Sequence, residues 1–100
     1  MRKRYEKIVC NDGFTMSVQA HSTAYCTPRQ DGDCTYTEVE VGYPSQREEL
    51  LMQYAEAPSR PTDTVYGYVP SNTVYLVIVK HKGMASGELP KGVPNPWLDR

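Results

Sequence analysis

Polar and apolar residues alternate along two stretches of the chain, and the alternation predicts two strands that each bury one face. In residues 14–20 every second residue is apolar, and polar residues separate them. In residues 36–43 a pair of valines falls on one side, whereas Glu38 and Glu40 fall on the other. A period of two residues is typical of a strand with one solvent-facing side.

Shorter apolar runs predict further strands at residues 5–10 and 65–69, and a short one near residues 88–89. The sequence Asn11-Asp12-Gly13 follows the first run and is typical of a tight turn, because asparagine and glycine tolerate a positive φ. We therefore expect residues 5–10 and 14–20 to form a hairpin.

The run at residues 65–69 predicts that its two end valines face the core. Tyr66 and Tyr68 are then expected to share the outer face of the strand. Gly67 lies between them, and a glycine inside a strand indicates a bulge or a close approach of another part of the backbone.

Two helices are predicted. Ser45 and Glu48 fit a capping box, which indicates a helix that runs to about residue 56. Residues 73–82 carry conflicting signals, because their β-branched residues favour a strand while Gly83 stands where a helix C-cap would. We predict a helix there because four residues recur at helical spacing on one face: Val74, Val77, Ile78 and His81.

These elements predict an α+β domain in the order β-β-β-α-β-α, with a mainly antiparallel sheet of about four strands and two helices. The chain has 100 residues, which allows one domain at most. We expect that domain to span residues 1–90 and residues 91–100 to form an extended, proline-rich tail anchored by Trp97 and Leu98. Residues 21–35 have no periodicity and are expected to form a long loop.

Charge and composition exclude some classes of function. The 11 basic and 12 acidic residues give a net charge of −1, so we expect no direct DNA or RNA binding, which needs a positive excess. No apolar run is long enough to predict a membrane span. Three cysteines, an odd number, favour reduced thiols and a cytoplasmic protein. Residues 31–63 hold eight acids and two bases, which predicts either an acidic face for a basic partner or ordinary solvated carboxylates.

The sequence predicts no catalytic residue, metal site or cofactor. Cys10, Cys26, Cys34 and His21 are the residue types that zinc binds, but they lack the paired spacing of known sites, and three reduced thiols are the alternative. Cys26 with His21 or His81 would make a nucleophile and base, although no sequence signature surrounds Cys26. Glu38 and Glu40 are better explained as solvated carboxylates than as an acid–base pair.

Recognition is the function that the composition favours. The chain has eight tyrosines and one phenylalanine, and tyrosine is enriched where proteins contact partners. Tyr25 and Arg29 lie in the long loop and combine an aromatic face with a guanidinium. A surface loop and a half-buried sheet of ordinary structural tyrosines are the alternatives. The candidate partner- or ligand-binding residues are Tyr25, Arg29, Tyr36, Glu38, Glu40, Tyr66 and Tyr68.

Several segments resemble small accessory proteins encoded by tailed bacteriophages. They are residues 11–20, 25–29, 38–45, 65–70 and 86–90. The resemblance spans nearly the whole chain and has no catalytic motif, so it transfers no active residues. It implies a phage protein that acts in the host cytoplasm, and small phage proteins of this kind often counter host defence.

We therefore expect a phage-encoded, non-enzymatic binding protein that inhibits a host defence component by protein–protein contact, as anti-CRISPR proteins do. A module that sequesters a small nucleotide through Tyr25 and Arg29 is the main alternative. A Cys26-dependent enzyme and a minor virion protein are less favoured. The small core also suggests a homodimer, because association is one route to stability for small domains.

Overall fold

Five antiparallel strands form one sheet in the order β4-β3-β2-β1-β5 in the computed structural model, which describes residues 3–94. The predicted anchoring by Trp97 and Leu98 lies outside the described residues. The α+β class is confirmed, with five strands instead of about four. The elements are β1 Ile8–Cys10, β2 Thr15–Gln19, β3 Glu38–Gly42, a 3-10 helix Glu49–Tyr54, β4 Val65–Pro70, α1 Ser71–Lys80 and β5 Met84–Ser86.

The β1–β2 hairpin forms as the alternation predicts. Ile8 pairs with Met16 across the strands, and the turn closes with Gly13 at a φ of +95°, which glycine adopts without strain. The side chain of Asp12 accepts a hydrogen bond from the amide of Phe14 at 2.9 Å. The apolar residues of this alternation are all buried: Phe14, Met16, Val18 and Ala20.

Strands β3 and β4 are joined through a β-bulge. Val39 pairs with Val69 and Val41 pairs with Tyr66, so Gly67 and Tyr68 together lie opposite the single residue between the two valines. The extra residue reverses the alternation of side chains along β4. Tyr66 therefore points into the core and only Tyr68 points outward, and the prediction that the two tyrosines share a face is wrong.

Helix α1 confirms the helical interpretation of residues 73–82, although it begins at Ser71 and ends at Lys80. All four members of the predicted stripe are buried, so packing against the sheet outweighs the strand preference of the β-branched residues. The Ser71 hydroxyl donates to the carbonyl of Tyr36 at 2.8 Å and does not cap the helix. No helix within residues 3–94 is long and apolar enough to cross a bilayer.

The other predicted helix is a single 3-10 segment of six residues. Ser45 does not cap it, because the Ser45 hydroxyl accepts a hydrogen bond from the amide of Thr15 at 2.9 Å. The side chain of Glu48 accepts from the amide of Leu50 instead, at 2.9 Å. The capping box is therefore wrong, and the polar groups that it would use bind distant parts of the chain.

Four polar side chains, which we call the His81 cluster, connect the hairpin turn, the 3-10 helix and α1: Asp12, Glu48, Lys80 and His81. The two ring nitrogens of His81 lie 2.7 Å from Asp12 Oδ2 and 2.6 Å from Glu48 Oε1. Lys80 Nζ donates to Glu48 Oε2 at 2.8 Å. Phe14 stacks on the His81 ring with the centroids 4.0 Å apart.

Two carboxyl groups of the His81 cluster are held in their ionised form. Burial alone raises the pKa of Glu48, but hydrogen bonds from Lys80, the Leu50 amide and His81 outweigh burial and bring that pKa below its ordinary value. The hydrogen bond from the Phe14 amide, assisted by His81, lowers the pKa of Asp12.

The folded part of the chain continues past the boundary expected at residue 90. The amide of Tyr36 donates to the carbonyl of Lys91 at 2.8 Å, and Val93 is buried. Gly92 lies against Tyr36 at a φ of +115°, and a Cβ atom there would come within 2.2 Å of the Tyr36 carbonyl oxygen. Residues 91–93 are therefore packed on the domain.

Replacing Glu48 with alanine should lower the free energy of unfolding by about 3–5 kcal/mol, because it leaves the buried His81 ring without one of its two carboxylates. Urea unfolding at pH 7 measures the change. Glu49→Ala is the matched control, since Glu49 is the neighbouring residue and its side chain is 68% exposed. The control should lose no more than about 0.5 kcal/mol. Equal losses in the two variants would contradict a structural role for the His81 cluster.

Stability should fall in acid through Glu48 and Asp12. A carboxyl whose pKa is lower in the folded chain contributes its full stabilisation above the unfolded value of about 4.3, and loses it as the pH falls through the folded value. Urea midpoints between pH 7 and pH 3 should decline below about pH 4.5, the ordinary range of carboxyl groups. Glu48→Gln should show a shallower decline than the wild type, and parallel curves would refute the assignment.

Gly92→Ala should release residues 91–93 from the domain, because the added Cβ overlaps the backbone of Tyr36. We expect faster hydrogen exchange at the Tyr36 amide, which binds the Lys91 carbonyl. Gly32→Ala is the control, since Gly32 also has a positive φ but no atom within 4 Å of the added Cβ. Unchanged exchange at Tyr36 in Gly92→Ala would contradict the packing of this segment.

Candidate protein-binding surface

Five of the predicted binding residues lie together on one surface, which we call the Tyr25–Tyr68 surface. The ring centroids of Tyr25 and Tyr68 are 6.0 Å apart and the rings are stacked. The guanidinium of Arg29 lies 5.6 Å from the centroid of the Tyr25 ring. Glu40 Oε2 accepts a hydrogen bond from the Tyr25 amide at 3.2 Å. The surface consists of Tyr25, Arg29, Glu38, Glu40 and Tyr68.

The segment that carries Tyr25, within the predicted long loop, alternates buried and exposed side chains. Ala24 and Cys26 are each 1% exposed, whereas Tyr25 and Thr27 point outward. Thr27 forms an antiparallel bridge with Glu38, and its hydroxyl donates to Glu38 Oε1 at 2.7 Å. The signal for this arrangement is present in the sequence, since residues 24–27 alternate small apolar with polar or aromatic residues.

The bulge in β4 places Tyr68 beside Tyr25. The amide of Tyr68 donates to the carbonyl of Tyr25 at 2.9 Å. A Cβ on Gly67 would lie 3.1 Å from the Cβ of Tyr25, which is the close approach that a glycine at this position predicts. Tyr68 itself has a φ of +53°, a region that costs a bulky residue about 1–3 kcal/mol.

Backbone contacts therefore hold the two exposed rings in place. Tyr68 reaches its position only through a strained backbone conformation. Tyr25 is 39% exposed and Tyr68 is 41% exposed. Backbone strain clusters at functional sites such as ligand clamps. The position of the two rings is consistent with a recognition role for both tyrosines.

Tyr36 and Tyr66, which the composition also suggested for binding, belong to the core. Tyr36 is 1% exposed and its hydroxyl donates to the carbonyl of Gln30 at 2.7 Å. Tyr66 is fully buried, and its hydroxyl donates to the carbonyl of Pro61 at 2.5 Å. Burial raises the pKa of both hydroxyls. Neither side chain is accessible to a partner.

The thiol of Cys26, the candidate nucleophile, is paired with the backbone. The Cys26 thiol donates to the backbone carbonyls of His21 and Pro28, at 3.2 and 3.4 Å, and burial raises its pKa. A protonated thiol is a weak nucleophile. Burial also raises the pKa of Cys10 to about 11. His81 is occupied by its two carboxylates, as expected of a satisfied core histidine.

Metal ligands do not converge in the part of the chain that the structure describes. No group of three histidine, cysteine, aspartate or glutamate side chains is placed to hold an ion within residues 3–94. Cys10, Cys26 and Cys34 are all free thiols. Among the described residues, no three of the four residues considered for zinc are therefore placed to share an ion.

A cleft of about 250 Å³ lies between the N-terminal segment and the turn at residues 31–33. Lys3, Tyr5 and His21 are among the residues that line it. Neither Tyr25 nor Arg29 contributes to its wall, so the two loop residues suggested for nucleotide binding lie outside this cleft.

Comparisons with known proteins place the chain in no family. No protein-family model matches it, and no curated protein or solved structure is similar enough to count as a match.

Proposed function

We propose that this chain is a non-enzymatic binding protein that acts through protein–protein contact at the Tyr25–Tyr68 surface. The observation that carries the proposal is a pair of exposed, stacked tyrosines. The bulge in β4 positions Tyr68, which has a strained φ, and the buried residues on either side of Tyr25 position Tyr25. Rigid aromatic side chains provide contact area with little loss of conformational entropy on binding, and tyrosine and arginine dominate the energetics of many interfaces.

The resemblance to tailed-phage accessory proteins suggests the biological setting. In this proposal the chain acts in the cytoplasm of the bacterial host and inhibits a component of host defence by occupying its surface. Tyr25 and Arg29 do not line the cleft described above, which supports contact with a macromolecule over enclosure of a nucleotide. An open pair of rings fits a protein surface better than a small ligand, which needs a concave site.

Replacing Tyr68 with glycine tests the proposal without unfolding the chain. Glycine accepts a φ of +53° readily, so Tyr68→Gly should change the free energy of unfolding by less than about 1 kcal/mol. If Tyr68 is a binding hot spot, the same variant should weaken partner binding by about 30-fold or more. The measurements are urea unfolding, quantitative recovery of partners with tagged chain, and phage plating on hosts that carry a defence system.

Tyr43→Gly is the matched control. Tyr43 is also a tyrosine with a positive φ, and it is 58% exposed, but it has no ring contact among the described residues. The control should keep both partner recovery and protection of the phage. Equal activity of Tyr68→Gly and the wild type would refute the proposed surface, and equal loss in the two variants would assign the effect to the backbone and not to this surface.

A further inference from the structure

We infer that the Tyr25–Tyr68 surface recognises a cationic side chain, an arginine or lysine that the partner protein presents. This inference rests on the proposed function and specifies the chemistry of the partner. Three observations support it: the carboxylates beside the rings, the guanidinium of Arg29 over the Tyr25 ring, and the net charge of the surface.

Hydrogen bonds hold the carboxylates of Glu38 and Glu40 in place, but only one oxygen of each carboxylate accepts one. Each is half-buried on the outer face of β3. Glu38 Oε1 accepts from Thr27 and Glu40 Oε2 accepts from the Tyr25 amide, at 2.7 and 3.2 Å. The second oxygen of each carboxylate has no hydrogen-bond donor among residues 3–94. A carboxylate only accepts hydrogen bonds, so the group that fits these oxygens is a donor.

The aromatic rings favour a donor that is positively charged. The face of a tyrosine ring carries partial negative charge and attracts ammonium and guanidinium groups. Arg29 shows this attraction within the chain, since its guanidinium lies 5.6 Å from the centre of the Tyr25 ring. Tyr68 stacks beside Tyr25 and is 41% exposed, so it offers the adjacent position for a cation from outside.

The charge of the surface opposes the alternative, an anionic partner group held by Arg29. Glu38 and Glu40 contribute two negative charges and Arg29 contributes one positive charge, which leaves a balance of −1. A phosphate or carboxylate would meet two carboxylates at close range, which is repulsive. A cation instead meets two acceptors and an aromatic face.

A titration with methylguanidinium, which reproduces the end of an arginine side chain, tests the inference directly. Ring resonances of Tyr25 and Tyr68 are followed by NMR at constant ionic strength, with sodium as the matched cation. We expect a saturable shift with a dissociation constant on the order of 10 mM, as suits one small cation on an open site. Glu40→Gln should weaken binding at least fivefold, whereas Glu49→Gln, on the 3-10 helix, should leave it unchanged. Acetate should produce no saturable shift.

Other outcomes separate the inference from the proposed function. Saturation with acetate but not with methylguanidinium would overturn the inference in favour of an anion held by Arg29, and saturation with neither would overturn it as well. If partner recovery is lost in Tyr68→Gly but kept in the double variant Glu38→Gln and Glu40→Gln, the surface binds a partner but not through a cationic side chain. That result would overturn the inference and leave the proposed function intact. If Tyr68→Gly keeps full partner recovery, the proposed function itself fails.

Discussion

The imidazole of His81 lies between two carboxylates. These contacts connect the hairpin turn, the 3-10 helix and α1, which the hydrogen bonds between strands do not join to one another. Asp12 comes from the hairpin turn and Glu48 from the start of the 3-10 helix. Lys80 and His81 come from the end of α1, so one cluster fixes the ends of three elements. In a domain with a small core, buried polar groups are tolerated only when they are fully paired, and no buried side-chain polar atom lacks a partner within residues 3–94.

The helix that this cluster holds packs beside β4 on the core side of the sheet, and the candidate surface lies on the opposite side of β3. Val39 and Val41 point toward the core, so their neighbours Glu38 and Glu40 point away from it. The same logic applies to the segment before β3, where buried Ala24 and Cys26 turn Tyr25 and Thr27 outward. The side chains of the candidate surface therefore alternate along the chain with buried residues. Packing of those buried residues in the core fixes the positions of the exposed side chains.

Local patterns predicted the features that depend on local interactions. The hairpin followed from a turn sequence between alternating residues, and the buried stripe of α1 followed from its helical spacing. The capping box failed because Ser45 binds Thr15, which is 30 positions away in sequence, and Glu48 binds His81. Such partners carry no signal in a short window. The assignment of Tyr66 to the surface failed because a bulge lies between Tyr66 and Val69, so the two residues face the same side although they are three positions apart.

The bulge makes the number of residues between Tyr66 and Val69 a determinant of what the chain displays. With two residues in that interval, both Tyr66 and Val69 face the core and Tyr68 stands outside. Deletion of one residue there would remove the bulge. Strict alternation would still place Tyr66 and Val69 on the core face, but the backbone conformation that brings the Tyr68 amide to the Tyr25 carbonyl would be lost. The length of the strand, and not only its composition, is therefore under constraint, so variants of this chain that preserve the surface are expected to tolerate substitutions at this place far better than insertions or deletions.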